Sequence, residues 1–212
     1  MVKFETVSKQ TLADVVYEKL HEAIMRGDYA DGEELNQVGL AEQFGVSRVP
    51  IREALWRLEA ERMVVASPQQ RFRVVEMTPQ SVLELADIRE MLEVYALSKR
   101  VGHYSEEEIE ELRRAANVMA KTKDKEDWLM ADRQFHRLIN GVNTPVAIMI
   151  DGVRSQIHRY LQVVVSSEER RKEAREEHTA LLDAIEAGNV RSAEKILRHH
   201  ISGTRKILQK HL

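Results

Sequence analysis

From Pro79 to the C-terminus, apolar residues recur at spacings of three and four residues, and no segment alternates as a strand would. Helix-start signals divide this part of the chain, beginning with Thr78 ahead of Pro79 and continuing with Ser105 ahead of Glu108. Aromatic residues make up only 5% of the sequence, so the core must be mostly aliphatic. The pattern predicts six helices, near 79–102, 106–121, 125–140, 145–165, 167–187 and 190–210, packed as an antiparallel bundle.

The shorter N-terminal part mixes helices with strand-like runs. A first helical pattern is followed by a short helix around 37–44, which Gly45 ends, and by a third helix from 48 to about 62. Two helices joined by a short turn containing glycine are typical of a helix-turn-helix, and the hairpin formed by "MVVAS" and "FRVVEM" is typical of a wing. The sequence therefore predicts a mainly α protein, with a winged helix-turn-helix over residues 1–77 and a six-helix bundle over 78–212.

The stretch "VSRVPIREAL" places a proline close to the start of the third helix. Proline is tolerated there because the N–H groups of a first turn have no partner within the helix. With Ser47 as the N-cap, its side-chain oxygen is expected to accept one of these N–H groups, and Pro50 falls at the third helical position. Arg48 and Arg52 then share one exposed face at the start of the helix.

The net charge of the chain is −3, but the charges are unevenly distributed. Residues 10–45 hold two basic and eight acidic side chains, whereas residues 46–73 hold six arginines and three glutamates. A local cationic strip on an acidic protein suits a polyanionic partner, although a solvated helix face would have the same composition.

These arginines lie where a helix-turn-helix protein reads DNA. The N-terminal end of the second helix of that motif enters the major groove. Arg48 and Arg52 suit guanine or phosphate, and Val49 between them suits a thymine methyl group. Arg57 and the wing arginines suit the DNA backbone or the minor groove. The alternative for Arg52 is an ion pair with a nearby acidic residue of the protein itself.

Three histidines and one aspartate fall on inward positions of the C-terminal helices. Asp132 and His136 are four residues apart on one predicted helix and therefore point the same way. His178 and His200 each lie within the apolar repeat of a later helix. Such a set suits a divalent metal ion, and without a sulfur ligand Zn²⁺, Ni²⁺, Mn²⁺ and Fe²⁺ all remain possible. The alternative is that each histidine simply forms a hydrogen bond in the core.

The segment "LNQVGLAEQFGVSRVPIREALWRLEAERMVV" resembles the winged-helix signature of the GntR superfamily of bacterial transcription regulators. The resemblance implies that Arg48 and Arg52 contact DNA, with Ser47 and Val49 beside them. This chain departs from the family pattern twice. Family members often have threonine at the position of Val49, which bears on base preference, and glycine at the wing tip, where we expect Arg71 to lie and to contact DNA.

The helical part resembles the ligand-sensing FCD domain of FadR-type regulators in its six-helix form. Metal-binding members of that group carry an Asp-x-x-x-His pair and two later histidines, which here are Asp132, His136, His178 and His200. Arg89, in "ADIREMLE", matches an arginine beside the effector pocket. The resemblance implies a homodimeric repressor that binds double-stranded, pseudo-palindromic DNA and responds to a small organic acid.

Two other functions use the same residues. Asp plus three His also suits a hydrolytic or oxygenase metalloenzyme, for which Glu177 beside His178 is a possible general base. A purely structural metal, or a scaffold without metal, is the third possibility.

The cellular location follows from what the sequence lacks. No apolar run approaches the roughly 18 residues that a membrane-spanning helix needs, and the N-terminus has no signal-peptide pattern. The chain contains no cysteine, which excludes disulfides and thiolate ligands. We expect a cytoplasmic protein that does not bind membranes.

Overall fold

The protein was analysed as a computed structural model, which describes residues 10–69 and 71–211. It forms two compact units, the first ending at Glu76 and the second beginning at Met77. In these ranges no helix is both long enough and apolar enough to span a bilayer. The predicted fold class is confirmed, because a helix-turn-helix with a small sheet precedes a bundle of helices.

The first unit combines helices with a three-stranded antiparallel sheet. The central strand of the sheet pairs with both others, so that Phe72 lies opposite Leu35 on one side and Ala66 on the other. The predicted hairpin forms the last two strands, and the sequence analysis missed the first strand. The elements are α1 (Leu12–Arg26), β1 (Glu34–Leu35), α2 (Gln37–Phe44), α3 (Arg48–Ala60), β2 (Val64–Ala66) and β3 (Phe72–Val74).

The packing of the first unit determines which face of α3 is free. Ile51, Leu55 and Leu58 are completely buried, and α1 packs against them. Gly45 ends α2 with a positive φ of 65°, a left-handed conformation that glycine adopts without steric cost. The chain can therefore turn directly from α2 into α3, and the opposite face of α3 remains exposed.

The second unit is a six-helix bundle. Every predicted helix is present, and its ends lie within two residues of the predicted ones. The core is aliphatic, as expected from the few aromatic residues, with α4 packed on α7 and α9, and α5 on α6 and α8. The helices are α4 (Pro79–Arg100), α5 (Glu106–Lys121), α6 (Lys125–Asn140), α7 (Pro145–Ser166), α8 (Glu168–Glu186) and α9 (Val190–His211).

Charged side chains are buried inside this bundle. Fully buried charged residues are rare unless they are paired, so a group of them within one core marks a site. The buried ionisable residues among those described are Arg89, Glu93, Asp132, His136, Arg154, Arg170, Arg171, His178 and His200.

Candidate functional site

The first candidate site is the exposed N-terminal end of α3. Ser47 has the extended backbone of an N-cap, but its side chain makes no capping hydrogen bond, so that expectation was wrong. Pro50 contributes to this difference, because it occupies the third helical position and has no N–H, so one of the two usual donors to an N-cap oxygen is missing. The Ser47 hydroxyl is exposed and is not used to hold the helix.

Arg48 and Arg52 are exposed on this helix end. No acidic residue lies in the first turn of α3. Among the described residues of the first unit, the arginines that form ion pairs are Arg26, Arg57, Arg71 and Arg73. Within the described part of the chain, Arg52 therefore does not form the ion pair considered as its alternative, and Arg48 and Arg52 are both exposed to solvent.

Two glutamines share an open depression with the helix end. Gln37, the first residue of α2, and Gln69, in the wing turn, line it together with Arg48, Val49 and Arg52. Val49 is 52% exposed, which is unusual for a valine and leaves its methyl groups available. No sequence pattern predicted that Gln37 and Gln69 would lie beside the end of α3, since their positions depend on how α2 and the wing pack.

Arg71 lies at the base of the wing turn and not at its tip. The Ser67 N–H donates to the Arg71 carbonyl at 2.8 Å, and the Arg71 N–H donates to the Ser67 hydroxyl at 3.2 Å, which closes the turn. Nη1 of Arg71 and Nη2 of Arg73 lie 3.9 and 2.9 Å from Oε2 of Glu34 on β1. The wing is therefore less cationic than its arginines suggested.

Arg57 is also engaged within the protein. Its Nη1 donates to Oδ1 of Asp14 at 2.6 Å, and its guanidinium lies 4.0 Å from the ring centre of Tyr17. Arg57 thus ties α3 to α1 in this state, where the sequence analysis had expected a DNA backbone contact.

The second candidate site is a buried cluster in the bundle. Asp132 and His136 come from α6, His178 from α8 and His200 from α9, and all four are buried. One possible ligand atom from each residue lies within 4.8 Å of those of the others. The four residues selected from the sequence are therefore close enough to share one ion.

Two glutamates orient two of the histidine rings. Oε2 of Glu93 lies 2.6 Å from Nδ1 of His136, and Oε2 of Glu177 lies 2.7 Å from Nδ1 of His200. A carboxylate accepts hydrogen bonds only, so each Nδ1 carries the proton and each Nε2 presents a lone pair. The two Nε2 atoms lie 3.2 Å apart, an arrangement that a cation between them would stabilise.

His178 supplies the test of whether the residues fit a metal. Both of its ring nitrogens are buried and have no hydrogen-bond partner among the described residues. Its Nε2 lies 3.4 Å from Oδ1 of Asp132, a separation at which no well-formed hydrogen bond exists. A buried imidazole without partners is costly, whereas a metal ligand needs such a free nitrogen, so the donor set fits a divalent ion.

Burial keeps His136 and His200 neutral. It lowers the pKa of His136 to about 4 and, with help from the neighbouring His178, that of His200 to about 3. Burial opposes ionisation of Asp132, but the nearby His136, His178 and Arg154 outweigh it and hold the pKa of that carboxyl well below its usual range. Neutral imidazoles and an ionised carboxylate are the protonation states that bind metals.

Arginines surround the cluster. Nη2 of Arg154 donates to Oδ2 of Asp132 at 2.9 Å, which leaves Oδ1 facing the histidines. Arg154 also donates to Oε1 of Glu93 at 3.1 Å, as does Nε of Arg89 at 2.6 Å. The terminal nitrogen of Arg89 lies 3.4 Å from both ring nitrogens of His136. Arg89 therefore lies beside the cluster, although the structure also gives it a carboxylate partner.

A small cavity opens beside the cluster. Its volume is about 20 Å³, which is room for one water molecule. Arg89, Asp132, His200, Trp128 and Arg170 line it, together with aliphatic side chains of α7 and α8.

Glu177 does not have the environment of a general base. Arg170 donates to both of its oxygens, at 3.0 and 2.8 Å, and His200 occupies one of them as well. Although burial opposes ionisation, His200 and Arg170 lower the pKa of Glu177 to about 2, which makes it a poor proton acceptor. The sequence analysis missed the role of Glu177 and Glu93 as histidine partners.

Comparison with known families gives two matches. The family described as "Bacterial regulatory proteins, gntR family" matches residues 12–74, and the FCD domain matches residues 84–203.

Relatives cover nearly all of the chain. The transcriptional repressor GlaR of Escherichia coli is 25% identical over 91% of this chain and 94% of its own length. The gluconate operon transcriptional repressor of Bacillus subtilis is 26% identical over 80% of this chain and 70% of its own length. The solved structure of E. coli McbR/YncC superposes with a TM-score of 0.83 at 26% identity, covering 95% of this chain and 98% of that one.

Proposed function

This chain belongs to the GntR family of bacterial transcription regulators and carries an FCD domain. On that basis we propose that it is a repressor whose FCD domain binds a divalent metal ion and a small organic acid, and that binding of the acid controls repression. The family consists of DNA-binding regulators and not of enzymes, which excludes the metalloenzyme alternative. The repressor assignment is supported by relatives that are named as repressors, such as GlaR and the gluconate operon protein.

The free cationic end of α3 is the observation that carries this proposal. Arg48 and Arg52 reach guanine edges or phosphates of a major groove, Val49 meets a thymine methyl group, and the Ser47 hydroxyl contacts a phosphate. Arg71 contacts the DNA backbone after it leaves its weak pairing with Glu34, which costs little at an exposed site. Two copies of this surface in a homodimer read a pseudo-palindromic operator.

Asp132, His136, His178 and His200 would hold the metal ion in the second unit. Their nitrogen and oxygen donors accommodate Zn²⁺, Ni²⁺, Mn²⁺ or Fe²⁺. When bound, the ion supplies a positive centre that can accept a further oxygen ligand. Arg154 keeps Asp132 ionised, and Glu93 and Glu177 keep two of the rings aimed at the site.

The charges around the cluster favour an anionic effector. Three guanidinium groups, of Arg89, Arg154 and Arg170, pair with three carboxylates inside the bundle, of Glu93, Asp132 and Glu177, so the buried charges balance while His136 and His200 are neutral. Arg170 pairs in addition with Glu173, whose side chain is exposed to solvent. A divalent ion adds two positive charges to this balance. A small organic acid restores it, with Arg89 as its charge-assisted partner.

The size of the cavity suggests how such an acid acts. Room for one water molecule does not admit an organic acid, so the acid binds only a wider form of the bundle. A ligand that binds one of two forms shifts the population towards it. We expect the wider form to change the spacing of the two DNA-reading surfaces in the dimer and so to lower operator affinity.

A gel-shift titration of operator DNA tests the proposal. The Arg48→Ala/Arg52→Ala double variant is expected to lose at least about 30-fold in affinity for the operator, because each base contact contributes roughly 1–3 kcal/mol. Arg114→Ala, which changes an exposed arginine of the second unit, is the matched control and should bind as the unmodified chain does. Operator-selective binding by the double variant would overturn the proposal.

A further inference from the structure

Two residues that line the cluster cavity each carry an N–H donor without a hydrogen-bond partner in the described part of the chain. The indole Nε1 of Trp128 and the Nε of Arg170 are buried and make no hydrogen bond to any described residue. Both residues line the cavity, and both side chains are more than nine-tenths buried. Buried donors are nearly always satisfied in folded proteins, so two unsatisfied ones at one cavity require an acceptor there, which is either a water molecule or a ligand.

Arg170 has this free donor because its other nitrogens are occupied. They donate to Glu177 at 3.0 and 2.8 Å and to the carbonyl oxygen of His200 at 2.9 Å. These hydrogen bonds hold the guanidinium in place and leave its Nε N–H without an acceptor among the described residues.

Trp128 lies one helical turn before Asp132 on α6, so the two side chains share a face. Its ring centre is 6.2 Å from that of His178. One turn advances the helix by about 5.4 Å. A ligand that reaches from the cluster to the indole therefore carries two polar groups separated by a short carbon chain.

We infer that Trp128 determines effector specificity by donating its indole N–H to a second acceptor group of the acid. In the wider form of the bundle, one carboxylate of the effector binds beside Arg89, and the far carboxylate accepts from Trp128 and from Nε of Arg170. The aliphatic walls from α7 and α8 pack on the carbon chain. The preferred class is a short dicarboxylate, and a monocarboxylate of the same length leaves both donors unsatisfied. This inference rests on the proposed effector function.

Calorimetry on the full chain with Zn²⁺ tests it. The probes are malonate, succinate and glutarate, each compared with propionate, butyrate or valerate of matching chain length. The unmodified chain should bind one of the dicarboxylates at least about tenfold more tightly than its partner, as expected for a hydrogen bond to a charged acceptor. Trp128→Phe, which removes the N–H and keeps an aromatic ring, should reduce that ratio to below about threefold. Tyr95→Phe removes a polar atom from an exposed aromatic residue and is the control.

Fluorescence gives a second measurement that needs no change at Trp128. The chain has two tryptophans, so in Trp56→Phe the emission reports on Trp128 alone. The tighter dicarboxylate should shift this emission, and its monocarboxylate partner at equal saturation should shift it less.

Several outcomes would overturn the inference. A trapped water molecule that satisfies the indole would leave the binding ratio of Trp128→Phe equal to that of the unmodified chain. Equal binding of both acids, an unchanged emission on dicarboxylate binding, or binding of neither acid would also do so. None of these results touches operator binding by Arg48 and Arg52, which the gel shift decides separately.

Discussion

At the scale of single residues, the second unit depends on side chains that hold other side chains. Glu93 and Glu177 take no place among the four candidate ligands, yet each fixes the protonated nitrogen of one histidine. Mutation of such a partner commonly lowers the metal affinity by about 10- to 100-fold. The geometry of the cluster is thus set as much by these carboxylates as by the ligands.

Glu177→Gln should weaken metal binding by about 10- to 100-fold, because a neutral amide holds the His200 ring less firmly and makes its Nε2 less basic. Competition against a chromogenic chelator measures the affinity for Zn²⁺ or Ni²⁺. Glu176→Gln changes the exposed neighbour and should have no effect. The His178→Ala/His200→Ala variant defines the affinity without a site, and an undiminished affinity in that variant would remove the metal site altogether.

The sequence could indicate the four ligand candidates but not their partners. Asp132 and His136 share a helix, so helical spacing alone aligns them. Glu93 reaches His136 from a helix 43 residues away in the chain, and no spacing rule connects the two. The role of Arg154 could not be predicted for the same reason, because Arg154 comes to lie between the carboxylates of Glu93 and Asp132 only when α7 packs into the bundle.

At the scale of secondary-structure elements, apolar periodicity predicted the helices well and the short strands poorly. The ends of the six bundle helices were predicted to within two residues, since each has a cap or a proline at its start. Strand β1 has two residues, which is too short for any alternation to be visible. The wing turn was misjudged at Arg71, because hairpin register is fixed by turn type and loop length, and the segment "SPQQR" does not reveal where its turn closes.

The start of α3 offers a test of whether the Ser47 side chain caps the helix. Because the Ser47 side chain makes no capping hydrogen bond and Pro50 offers it no N–H, Ser47→Ala should cost less than about 0.5 kcal/mol in the unmodified helix. In a Pro50→Ala background the cap can form, and the same change should cost about 1 kcal/mol. Urea unfolding of the full chain measures both values, with Trp128→Phe as the background so that Trp56 reports on the first unit. Equal costs in both backgrounds would contradict the structure.

At the scale of the whole molecule, the buried histidines make stability depend on pH. In the unfolded chain a histidine takes up a proton near pH 6.5. In the folded chain burial lowers the pKa of His136 to about 4 and that of His200 to about 3, so both stay neutral over that range. Between these values the unfolded state binds more protons than the folded one, and the free energy of unfolding falls as the pH falls.

We therefore expect the metal-free chain to lose a few kcal/mol of unfolding free energy between about pH 6.5 and pH 4. Below about pH 4.5 the lowered pKa of Glu177, about 2, adds to the same trend, since the unfolded carboxylate is protonated first. Calorimetric unfolding at half-unit steps of pH measures the slope. His200→Gln should flatten it, because one group that changes its protonation on unfolding is gone, whereas His103→Gln, at an exposed position, should not. A pH-independent unfolding free energy across this window would mean that His136 and His200 are not held neutral in the folded bundle, and the metal-ready arrangement at Asp132 would lose its physical basis.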